Sequence, residues 1–149
     1  MSLINKISES IMIAMKEKNT VSLESLRAIK SSLLLAQTQK GANSEISEEE
    51  EIKILQKLVK QRKESADIYL AQNRSELAEV EINQSKIIEK FLPEQMSLDQ
   101  IEKIILELIH KTGASGMKDM GKIMGMASKQ LSGKADGKTI SNIVRAKLS

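Results

Sequence analysis

Apolar residues return every three or four positions along almost the whole of this chain, and that period is helical. Ile4, Ile7, Ile11 and Met15 step down one side of an amphipathic helix over residues 3 to 17. Asn19 and Thr20 interrupt the pattern. A second helix runs from Ser22 to Lys40, with Leu23, Leu26, Ile29, Leu33 and Ala36 on one face. Gly41 is placed to end it, because glycine takes φ > 0 without strain. Gly41 to Ser47 reads as a loop. Ser47-Glu48-Glu49-Glu50 has the form of a capping box, and its carboxylates suit the positive end of a helix dipole. The third helix continues to about Asn73, with Ile52, Leu55, Val59, Arg62 or Lys63, Ala66 and Leu70 inward and a polar middle from Lys57 to Glu64. A fourth, from Ser75 to Phe91, carries Leu77, Ile82, Ile87 and Ile88. Phe91-Leu92-Pro93 stops it, since a residue before proline avoids the helical region.

That single proline marks a domain boundary, with residues 1–92 before it and 93–149 after it. The joint is short, so two packed subdomains are expected rather than a flexible linker. Ser97-Leu98-Asp99-Gln100 is a second capping box. The fifth helix behind it carries Leu98, Ile101, Ile105 and Leu108 and closes at Gly113. Met117, Met120, Met124, Ala127 and Leu131 then form the apolar face of a sixth helix. Ile140, Ile143, Val144 and Leu148 form that of a seventh, for which Asp136 is the natural N-cap, accepting from the amide of Lys138 or Thr139. No β alternation and no long repeat appears. The fold class is all-α: an N-terminal domain of long helices and a C-terminal three-helix domain.

Composition narrows the chemistry. Aromatic residues make up 1% of the chain, Tyr69 and Phe91, so the core must be built from Leu, Ile, Val, Met and Ala. Cysteine is absent, which excludes disulfides, thiolate catalysis and Cys-ligated zinc. The N-terminal residues do not have the form of a signal peptide, and no apolar run approaches a membrane span. No membrane association is expected, and the sequence points to the cytoplasm. The one histidine, His110, has no second ligand in reach of a metal pattern. No glycine-rich loop follows a strand. Ser132 and Lys134 are too ordinary a pair to signal a nucleophile. No catalytic constellation, metal or cofactor is therefore expected.

The net charge is +3, but its distribution says more. Leu108 to Ser149 contains eight Lys/Arg and two Asp/Glu, an excess of six, so residues 1 to 107 carry −3. The same stretch holds six of the seven glycines. Lys118, Lys122 and Lys129 run beside the Met face, with Gly125 in the gap. Lys138, Asn142 and Arg145 form the outer stripe of the last helix. These residue types meet phosphate and sugar oxygens. A solvated basic face is the plainer reading of the charge. Gly121 and Gly125 each cost about 1 kcal/mol in a helix relative to Ala. They predict another backbone crossing closely there, or alternatively the close approach of a ligand.

Four stretches together resemble the GatB/YqeY family, in its small, stand-alone YqeY form. They are Leu26-Arg27, Lys60-Gln61-Arg62-Lys63-Glu64-Ser65, Phe91-Leu92-Pro93, and Gly113 through Lys138, which is similar to the family's GAS-x-MKDMG-x-xMG and GRADGK patterns. Lys134 departs from the second pattern, where Arg is usual; lysine lacks arginine's bidentate fork. The resemblance implies a C-terminal domain similar to the tail of the B subunit of tRNA-dependent amidotransferase, whose tail contacts the tRNA body. The carbon–nitrogen ligase chemistry of that enzyme, which amidates mischarged Glu-tRNA or Asp-tRNA, lies in other domains. The implied function is a non-catalytic tRNA-binding accessory module, with Lys118, Lys122, Lys134, Lys138 and Arg145 as candidate contacts. The other reading is an adaptor that docks on an aminoacyl-tRNA synthetase or an amidotransferase. Arg27 and Arg62 belong either to buried ion pairs with Glu64 or to an exposed binding surface.

Overall fold

A computed structural model describes residues 2–41 and 44–149. Met1 and residues 42 and 43 of the expected loop lie outside the described residues. The described residues form seven α-helices and one 3-10 turn, with no strand, so the fold is all-α. The helices are α1 (Leu3–Glu17), α2 (Thr20–Lys40), α3 (Glu48–Ala71), α4 (Ser75–Glu89), α5 (Leu98–Thr112), α6 (Met120–Gln130) and α7 (Gly137–Leu148). The 3-10 turn is Met117–Asp119.

Local chemistry sets the helix ends. Ser2, Asn19, Ser47, Ser97 and Asp136 each accept a hydrogen bond from a backbone amide three residues on, at 3.3, 3.1, 3.2, 3.2 and 2.7 Å. Such a bond satisfies one of the amides a helix start leaves unpaired. Both capping boxes are complete, with Glu50 and Gln100 reaching back to the amides of Ser47 and Ser97. Because Asn19 is a cap, α2 begins at Thr20, two residues before the apolar pattern announces it. Lys18 and Gly113 close α1 and α5 in the left-handed region, at φ 56 and φ 69.

The chain divides into two compact units, Met1–Leu92 and Pro93–Ser149. In the first, α2 contacts α1, α3 and α4, and α3 and α4 form a closely packed hairpin. Its core includes Ile7, Leu26, Ile29, Leu33, Leu55 and Ile88. Two serines are buried inside it. Ser25 donates to the carbonyl of Val21 and Ser85 to that of Ile82, at 2.8 and 2.7 Å, so neither hydroxyl is left unsatisfied. Met15 and Leu70, expected in the core, are half exposed at 54% and 50%. Both sit near the ends of their helices.

The second unit contains α5, α6 and α7 around Ile101, Ile105, Ile123, Ala127, Leu131 and Val144. Leu98, in the first turn of α5, is left outside this core. Just before α5 the backbone is strapped to the α6–α7 turn. Gln95 donates from Nε2 to the carbonyls of Pro93 and Gly133, at 2.9 and 2.7 Å. The Met96 amide donates to the Lys134 carbonyl at 2.9 Å.

Candidate nucleic-acid interface

α6 turns a bare face outward. Ile123, Ala127 and Leu131 are fully buried and step by four along its inner side. Met120, Met124 and Met126 pack on this core only partly, and Met117 is 46% exposed. The expected methionine stripe is thus shifted. Met117 belongs to the tighter 3-10 turn, and the register of α6 starts at Met120. Gly121 and Gly125 are exposed, and a Cβ built on either would meet nothing within 4 Å. Among the described residues no backbone crosses there, so the close crossing expected at these two glycines is not found. They leave an open lane on the outer face, beside Lys118, Lys122 and Lys129, all exposed.

The turn that carries Lys118 is shaped by two neighbours. Gly116 takes φ 74, and Asp119 accepts the amide of Ser115 at 2.9 Å. This explains the aspartate without any chemistry of its own. Met117–Asp119 also touches α7, and α6 packs against α7, so the basic rows lie on neighbouring elements of one unit. On α7, Lys138, Asn142 and Arg145 are exposed while Ile140, Val144 and Leu148 are buried. Lys134 is exposed in the connecting turn, where its carbonyl accepts from the Met96 amide and Gln95 holds the preceding Gly133. Sequence reasoning missed Gln95, because its partner is 38 residues away.

All five candidate contacts, Lys118, Lys122, Lys134, Lys138 and Arg145, are therefore exposed. Among the described residues, none of them is in an ion pair within 4 Å; the pairs use Lys40, Lys53, Lys63, Arg74 and Lys147. Asp136 is occupied at the start of α7, accepting from the Thr139 amide. Among the described residues there is no group of three His, Asp or Glu side chains able to hold a metal, and no helix is long and apolar enough to cross a membrane.

The two arginines of the first unit separate. Arg62 is half-buried, donating from Nε to Gln84 Oε1 at 3.1 Å and from Nη1 to the Leu58 carbonyl at 3.2 Å. Gln84 in turn donates to Glu24 at 3.0 Å. Arg62 is thus tied into α3, α4 and α2 without using Glu64. Arg27 is exposed.

The chain is thus all-α in two units, and the second presents exposed basic residues on α6 and α7. The family model for Yqey-like protein matches residues 4–148, and the chain belongs to that family. It is 31% identical over 130 residues to Altered inheritance of mitochondria protein 41, mitochondrial, of Clavispora lusitaniae, covering 87% of this chain and 74% of that protein. The protein of the same name from Meyerozyma guilliermondii is 30% identical over 129 residues, covering 83% of this chain and 65% of the relative. The E subunit of glutamyl-tRNA(Gln) amidotransferase from Thermococcus gammatolerans is 42% identical over 57 residues, covering 36% of this chain and 9% of that relative. Its counterpart in Methanococcus maripaludis matches 44% of the chain and 12% of its own length at 38% identity. The cytoplasmic location expected from the sequence is corrected by this comparison, because both yeast relatives are mitochondrial proteins by name.

Proposed function

We propose that this protein is a non-catalytic accessory module that binds tRNA through the outer face of α6 and α7. The observation that carries the reading is the open lane at Gly121 and Gly125 beside unpaired lysines. Gly125 lies in the interior of α6, where glycine costs stability, and among the described residues no group takes the space beside it or beside Gly121 in the first turn. A ligand backbone is the occupant that would use it. The flanking charge calls for an anion, and the kinship with proteins named as parts of a glutamyl-tRNA(Gln) amidotransferase supports tRNA as that anion. Lys118, Lys122, Lys134, Lys138 and Arg145 would meet phosphates. No aromatic platform is available for stacking, so recognition would rest on shape and backbone rather than base identity.

Filter binding of the full chain to bulk tRNA tests this. With about four phosphates neutralised, log K should fall against log salt with a slope of about −3. The double variant K122E/K138E should bind at least tenfold more weakly. Absence of binding at low salt, or a double variant equal to wild type, would overturn the proposal.

A second reading, an adaptor for an aminoacylation or amidotransferase enzyme, is favoured by a different observation. Met12, Ile13 and Met15 expose more than half of their surface near the end of α1. A partner enzyme retained from extract after ribonuclease treatment, and lost with M12K/M15K, supports this reading. A partner lost with the RNA supports the first.

A further inference from the structure

The first unit contains a cavity of about 380 Å³ between the start of α1, the end of α2 and the segment leading into α3. Leu3, Ile4 and Ile46 make its apolar wall, over Leu33, which is completely buried in the core. Its charged lining consists of Glu45 and Glu51, and the neutral amides of Asn5 and Gln37 also line it. Its volume falls in the range of small-ligand sites, about 300–1,000 Å³, and polar groups share the lining with the apolar wall.

The two carboxylates, Glu45 exposed and Glu51 half-buried, are only partly compensated by the charges around them. Among the described residues, neither Glu45 nor Glu51 is in an ion pair. Lys40 stands beside the segment, but it is spent on the Glu50 carboxylate at 2.9 Å and leans on the Glu45 carbonyl. Burial, and then repulsion from Glu48, hold the Glu51 carboxyl above its usual 4.5, against a smaller pull from Lys6. A cation seated in the cavity would offset both effects, because it places an opposite charge beside the carboxylate.

We propose that this cavity binds a small aliphatic amine, its stem against Leu3, Ile4 and Ile46 and its ammonium group at Glu45 and Glu51. The stem accounts for the apolar wall and the ammonium for the two carboxylates. An anion is disfavoured by both glutamates, and a neutral alcohol leaves their charge unanswered. This site lies in the first unit and is independent of the tRNA surface, so either proposal can fail alone.

The test is a titration of the full chain with n-hexylammonium chloride, with n-hexanol in parallel, followed by amide chemical shifts at neutral pH. Saturable shifts at Leu3 to Asn5, Leu34 and Ile46 are expected with the amine. The alcohol should bind at least tenfold more weakly. E51Q should weaken amine binding about tenfold, and E45Q/E51Q further. Lowering the pH through the titration of Glu51 should weaken binding about as much as E51Q does, since the protonated carboxyl no longer attracts the ammonium; Glu45, Glu48 and Lys6 are the other charged groups that share its surroundings. Equal binding of amine and alcohol, shifts outside the cavity, or a folded E45Q/E51Q variant that binds like wild type would overturn the proposal. If E51Q alone unfolds, E45Q in the intact fold provides the same comparison.

Discussion

On the proposed reading, Gly121 and Gly125 concentrate the conflict between stability and binding into two residues. Both have space for a methyl group, Gly121 in the first turn of α6 and Gly125 at its middle, and neither has a positive φ. Gly→Ala at either position should raise the unfolding free energy by roughly 0.5–1 kcal/mol. Urea denaturation checks that gain. The same variants should weaken tRNA binding several-fold, because the methyl group fills the lane; a stabilised variant with unchanged affinity would remove the glycines from the interface. Arg62 makes the opposite case. Its donors are committed to Gln84 and Leu58, so R62A should cost about 1–2 kcal/mol and leave tRNA affinity intact. A sequence reader sees Arg62 and Arg27 as equivalent basic residues. Their difference depends on Gln84 and Glu24, which the fold brings together from 60 residues apart.

Helix ends were more legible than helix faces. A cap bond spans three residues, so Ser47 with Glu50, Ser97 with Gln100, and Asp136 all carry their signal locally. S97A should cost about 1 kcal/mol, measurable as a lower thermal midpoint. Glu50 also ties this element to pH. Bonds from Lys40 first and from the Ser47 amide hold its carboxyl below the usual 4.5. The folded state thus binds this proton less readily than the unfolded chain does. The contribution to stability is present above 4.5 and is lost as the pH falls through the lower folded value. E50Q should flatten that acid-side loss, a difference readable in thermal midpoints between about pH 5 and pH 3. Helix faces were harder to read. Met117-Met120-Met124 and Ile123-Ala127-Leu131 both step at helical intervals, and only the position of the 3-10 turn decides that the second set leads. The exposure of the candidate basic residues was legible because charge on an outer face needs no partner. The emptiness above Gly121 was not, because glycine marks a close crossing and an open space equally well.

At the scale of the molecule, charge and core divide together. Pro93–Ser149 contains nine Lys/Arg and six Asp/Glu, so it carries the entire net +3, while Met1–Leu92 has fourteen of each sign. Each unit also closes around its own buried cluster. I123A removes a fully buried side chain from the second cluster and should cost about 2–5 kcal/mol there. Amide exchange should show the loss across α5 to α7, with protection at Ile29 and Leu55 unchanged. Loss of protection in both clusters alike would mean that the two units unfold as one.

The bare face of α6 also bears on motion. α6 is 11 residues long, and two of them are exposed glycines, so its own backbone preferences hold it weakly and its stability rests on the inner row of Ile123, Ala127 and Leu131. The least protected helical amides of the second unit should therefore be those around Lys122 and Gly125, opening in brief local excursions while α5 and α7 stay closed. A polyanion lying along that face would damp these excursions. The slowing of exchange at those few amides would then report occupancy of the lane directly, even under conditions where the stability of the whole chain does not change.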